Sequence, residues 1–163
     1  MHWGGTIHAL SPNIAQGMTI NTRIGNKIDL LNCIVRFSIK STFVTLPDYQ
    51  VRVICGAFQG NAAPTLAEIL SDTGTIYTTK SFYTSGQVGN FKIYHDKCYT
   101  VRESGPTRID GYLNLKVNHV ANYASAAAGL PKNQNVFMMF VGNQATGSEC
   151  PQIMFRSKMK YTE

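Results

Sequence analysis

KIDLLNCIVRFSIKSTFV, residues 27–44, is the stretch that decides the fold. From Val35 onward it alternates, with Val35, Phe37 and Ile39 on one side and Arg36, Ser38 and Lys40 on the other. A two-residue period in a segment rich in β-branched and aromatic residues predicts a strand with one buried and one solvated face. Leu46-Pro47-Asp48 breaks it, and Tyr49 to Phe58 (YQVRVICGAF) follows as the next strand, with Val51, Val53 and Cys55 on a common face.

The same signal recurs down the chain. Phe91 to Arg102 reads as a strand pair or one bent strand. Arg108 to Val120 sets Leu113, Leu115 and Val117 against Asn114, Lys116 and Asn118. Asn135 to Asn143 (NVFMMFVGN) is a continuous apolar run, the pattern of a strand buried on both faces. Gln152 to Tyr161 alternates once more. One helix is predicted, over Pro64 to Asp72, from a proline in the first turn and Leu66, Ile69 and Leu70 at helical spacing. Thr73 to Asn90 is a long Gly-, Ser- and Thr-rich connection with a short strand expected at Thr75–Thr79, and Gly86 to Gly89 is expected as loop.

Seven or eight strands, one short helix and long connections predict an all-β antiparallel sandwich or barrel. Long loops fit Greek-key crossovers better than tight hairpins, which favours an eight-stranded jelly roll. At 163 residues the chain holds one domain, residues 1–163, with 1–26 as an N-terminal arm leading into the first core strand.

Charged residues make up only 15% of the chain, against about 25% in ordinary soluble domains. Such a surface is expected to meet other subunits. Fifteen basic against nine acidic residues give +6, so the expected partner is an anion. Arg36 and Lys40 share one strand face; Arg156, Lys158 and Lys160 share another, opposite Phe155 and Met159; Arg52 and Lys116 lie on polar faces of their own strands. These seven are the candidate contacts to phosphates, read without sequence preference. Trp3, Tyr94 and Tyr99 are candidate stacking rings.

Little points to catalysis. His2, His8, His95 and His119 have no H-x-H or H-x-x-x-H spacing, so neither a metal nor a cofactor is expected. His95 and Asp96 are adjacent on a strand and point to opposite faces. Asp48, Asp72 and Asp110 are expected as solvated acids rather than calcium ligands. Cys33, Cys55 and Cys98 are expected as small buried hydrophobes, and no C-x-x-C pair occurs, which fits a reducing compartment. No run of 18 apolar residues predicts a membrane span, and the first residues lack the pattern of a signal peptide.

The segment before the first long strand carries a resemblance. QG-x-x-x-N-x-R-x-G-x-x-I, here Gln16, Gly17, Asn21, Arg23, Gly25 and Ile28, resembles the entry to the first core strand in small icosahedral virus coat proteins. These are the single jelly-roll capsid proteins of circular Rep-encoding single-stranded DNA viruses and of the satellite tobacco necrosis virus type. YQVRVICGAFQGNAAPTLAEILSD, NFKIYHDKCYTV, NVFMMFVGN and the basic last strand are similar to family segments in order and spacing. The resemblance implies an eight-stranded jelly roll and self-assembly of about sixty copies into a T=1 shell around a single-stranded genome. It also implies a place in the virion and, for a DNA virus, in the host nucleus during assembly. Gln16, Gly17, Asn21, Arg23 and Gly25 would then form the arm and its subunit contacts, with the glycines expected at turns. The family opens on an arginine- and lysine-rich arm, whereas this chain opens Met1-His2-Trp3-Gly4-Gly5. A longer parent chain, a trimmed one, or a shell with weak genome contacts each account for the difference.

A rival expectation is a jelly-roll carbohydrate- or receptor-binding module, with Trp3, Tyr77, Tyr83 and Tyr123 as a sugar platform. A cupin-like enzyme lacks the ligand spacing it would need.

Overall fold

The structure is a computed structural model that describes residues 5–12, 15–16, 24–41, 49–60, 62–73, 78–102, 106–124, 126–143 and 151–162. Seven strands run through them: β1 (Thr6–Ala9), β2 (Lys27–Lys40), β3 (Tyr49–Phe58), β4 (Phe91–Val101), β5 (Arg108–Asn122), β6 (Asn135–Gly142) and β7 (Gln152–Thr162). They form two antiparallel sheets, one in the order β1-β6-β3-β4 and the other β5-β2-β7. Only β3 and β4 are consecutive neighbours in one sheet; each of the other five connections crosses from sheet to sheet.

One core lies between the sheets. Val35, Phe37 and Ile39 of β2 meet Val51, Val53 and Cys55 of β3, Leu115 and Val117 of β5, and Val136, Met138 and Phe140 of β6. Phe37 packs edge-on against Phe140 with ring centroids 6.2 Å apart, and against Tyr99 at 5.5 Å, so aromatic pairs tie the layers together. Burying each such side chain contributes about 1.5–3 kcal/mol.

The two sheets differ on their outer faces. In β6 every residue is buried because its other face, Phe137, Met139 and Val141, lies under a second apolar cluster. Ile54 and Phe58 of β3 belong to it, with Ile69 of the short helix α1 (Leu66–Ile69) and Leu70 just after it as its lid. The Glu68 carboxylate accepts the Thr65 N–H at 2.6 Å and closes the first turn. The outer face of β5-β2-β7 has no corresponding cover among the described residues.

Several expectations change. The helix is a single turn rather than Pro64 to Asp72. Thr78–Lys80 is a 3-10 turn, not part of a strand, and residues 75–77 lie outside the described residues. Gly86 to Gly89 belongs to a 3-10 helix, Ser85–Asn90, instead of irregular loop. Phe91–Val101 is one strand, bulged where Cys55 pairs with His95 and Gly56 with Ile93. Within the expected arm, Thr6–Ala9 forms β1 on the edge of β6, where a four-residue strand leaves almost no period to detect. Cys33 and Cys55 are buried, but Cys98 is exposed.

Candidate nucleic-acid interface

Antiparallel pairing puts opposite residues on the same face, so register decides which charges meet. On β5-β2-β7 five successive rungs project outward. They are Arg108–Lys40–Gln152, Asp110–Ser38–Met154, Tyr112–Arg36–Arg156, Asn114–Ile34–Lys158 and Lys116–Asn32–Lys160. Six of the seven sequence-predicted cations are brought together here: Arg36, Lys40, Lys116, Arg156, Lys158 and Lys160. Arg108 joins them. It opens β5, and its place on this face follows from its pairing with Lys40.

These rungs hold seven cations and one carboxylate, an excess of six. The chain's remaining eight basic and eight acidic residues cancel, so its net +6 equals the excess on this one face. Asp110 is tied up locally: Arg108 Nε donates to its Oδ1 at 3.0 Å. The Ser38 hydroxyl and the Arg108 guanidinium hold that carboxyl below its ordinary value. Among the described residues the other six cations have no carboxylate partner. Beyond the fifth rung, Leu31 opposes Val117 and Asn118 in a bulge, which the left-handed backbone of Asn118 (φ 46°) permits.

Arg52 does not belong to this face. It projects from β3 on the outer side of the other sheet. Its Nε and Nη2 donate to the two Asp96 carboxylate oxygens at 2.8 and 2.6 Å, and its Nη1 donates to the Ser81 carbonyl at 2.6 Å. The Tyr83 hydroxyl donates to the same carboxylate at 2.5 Å. Burial pushes the Asp96 carboxyl up, but the hydrogen bonds from Arg52 and Tyr83 outweigh it and hold the group below its ordinary value. Arg52 thus pins the 78–84 segment to the sheet, its side chain only 11% exposed. His95, pointing the other way as expected, lies near Tyr99.

The candidate stacking rings also change. Tyr94 and Tyr99 pack against the core between the sheets, and Trp3 lies outside the described residues. The ring that does stand on the basic face is Tyr112, 58% exposed, with the Arg36 guanidinium carbon 5.8 Å from its centroid. Its position in the alternation of β5 was the available signal.

Of the expected arm residues, Gly17, Asn21 and Arg23 lie outside the described residues. The Gln16 amide Nε2 donates to the Ile24 carbonyl at 2.5 Å, and its backbone N–H to the Ala126 carbonyl at 2.7 Å. Gly25 does not occupy the left-handed region, and a Cβ there would meet only the Lys27 nitrogen at 3.9 Å, so no turn demands this glycine.

Among the described residues no group of three His, Cys, Asp or Glu side chains is placed to hold a metal. No helix among them is long and apolar enough to cross a membrane. No protein-family profile matches the chain, and no curated protein is similar to it in sequence.

Proposed function

We propose that this chain is a structural coat subunit. It assembles with about sixty copies of itself into a small T=1 icosahedral shell that encloses single-stranded nucleic acid, DNA ahead of RNA. The observation that carries the reading is the segregation of charge. Among the described residues one sheet face is uncovered and holds the whole excess of positive charge, while much of the opposite outer face lies under the chain's own helix and loops. A cationic sheet face of this kind neutralises phosphates without reading bases, and its affinity follows salt. In a shell it would form the lumenal lining.

An eight-stranded jelly roll is part of the proposal. Five of six connections cross between the layers, in keeping with the Greek-key winding of such a roll, and an eighth strand would complete the three-stranded sheet. The preference for DNA and the place in a virion, with assembly in the host nucleus, rest on the sequence resemblance. No catalytic role is assigned.

The rival carbohydrate- or receptor-binding module draws less support. Tyr123 is buried and donates to the Pro12 carbonyl at 2.8 Å, and Tyr83 is engaged by Asp96, so neither offers a free ring for a sugar.

Light scattering with negative-stain imaging and an absorbance ratio at 260 and 280 nm tests the proposal. Closed shells near sixty subunits with an elevated ratio are expected. A species of one to three subunits, indifferent to nucleic acid at low salt, refutes it.

A further inference from the structure

The bare face offers more than charge. Arg36 stands on its middle rung between two features. On one side an open cleft of about 310 Å³ is lined by Arg36, Ser38, Arg108, Met154 and Arg156. On the other side is the exposed ring of Tyr112. Met154 is itself 60% exposed, an apolar edge in a ring of guanidinium groups. Tyr112 lies about one strand spacing, ~5 Å, from Arg36 on one side, and Arg156 about the same distance on the other. Three arginines around one cleft supply the planar forks that grip phosphate oxygens, and among the described residues only Arg108 has a carboxylate partner. Arg36 and Arg156 lie directly opposite each other, a like-charge arrangement that costs stability unless an anion sits between them.

We infer that the Arg36–Arg156–Arg108 cleft and the Tyr112 ring form a nucleotide subsite that holds one phosphate of a single strand while its base stacks on Tyr112. This rests on the reading of the face as a nucleic-acid surface and adds a requirement for unpaired bases. A duplex hides its base faces and presents phosphates alone; a single strand offers both. The preference of the face is therefore for single strands over duplexes and over polyanions without rings.

Fluorescence anisotropy on the whole chain separates the two levels. The probes are a short oligothymidylate, an abasic strand with the same phosphates, a duplex and a heparin fragment of matched charge, all at low salt. The oligothymidylate is expected to bind at least about fivefold tighter than the abasic strand, the lower end of one stacked base. Tyr112→Ala, at an exposed position that leaves the core intact, is expected to erase that difference while leaving abasic and heparin binding unchanged. Tyr112→Phe keeps it. Equal binding of thymidylate and abasic strands, equal binding of duplex, or a Tyr112→Ala loss common to all probes overturns the subsite but leaves the cationic face standing. Failure of every probe to bind overturns both.

Discussion

Arg156→Gln is expected to make the unliganded protein more stable, although it removes a charged residue that touches several neighbours. Arg156 faces Arg36 across one rung, with Lys158 two residues further along the same strand, ~6.8 Å away. At a separation of about 6 Å in water two unit charges repel by ~0.7 kcal/mol. A Debye length of ~8 Å at physiological salt cuts this roughly in half. Summed over Arg36 and Lys158, relief amounts to about 0.5–1 kcal/mol, within the range for like charges on opposed strands. For a chain of 163 residues that is a rise in Tm of roughly 1–4 °C. Calorimetry or scanning fluorimetry on one oligomeric species, at low salt and again at 1 M, provides the assay. The rise should vanish at 1 M, where the Debye length falls to ~3 Å. Arg108→Gln supplies the contrast: Arg108 is paired with Asp110, so its removal should bring no gain. The same Arg156→Gln protein should bind single strands more weakly, with a salt slope shallower by about 0.7. A lower Tm at low salt, or a rise that persists at 1 M, would refute the electrostatic account.

Three other outcomes follow from the packing. Asp96→Asn should lower Tm by roughly 4–8 °C, since it weakens charge-assisted hydrogen bonds worth about 2 kcal/mol. Because folding depresses the Asp96 pKa, its contribution is full above the ordinary value of 3.8 and fades as pH falls through the lower folded value. The mutant's deficit should therefore shrink below pH 3.8 in acid titrations of stability, and a deficit constant with pH would contradict this. Gly111→Ala should cost about 1–3 kcal/mol by urea unfolding, because a Cβ there would lie 2.1 Å from the Phe37 ring. Phe37→Leu in the same chain should recover part of the loss, and simple additivity of the two would exclude the clash. Brief alkylation mapped by mass spectrometry should label Cys98 and spare Cys33 and Cys55, whose thiols burial pushes to about 11 and about 12. Labelling of Cys33 under native conditions would contradict the buried core.

The sequence by itself determined the six long strands, β2 to β7, and the inner faces of those that alternate. Val35, Phe37 and Ile39 alternate with Arg36, Ser38 and Lys40, and a period of two leaves a strand only one way to turn its apolar side inward. The run at Asn135–Gly142 likewise announced a strand covered on both sides. β1 was not legible, because four residues on an edge carry too little pattern, and the 3-10 segments were hidden by composition that favours loop. The candidate site was half legible. Alternation placed each cation on a polar side, but polarity within one strand says nothing about which strand lies next to it. Tertiary structure decided that Arg36 faces Arg156 and Tyr112, that Arg108 completes the cleft, and that Arg52 is drawn away by Asp96 on the other sheet. The physical reason is that faces are written in local periodicity, whereas register between strands far apart in the chain is set by the packing of both sheets around one core.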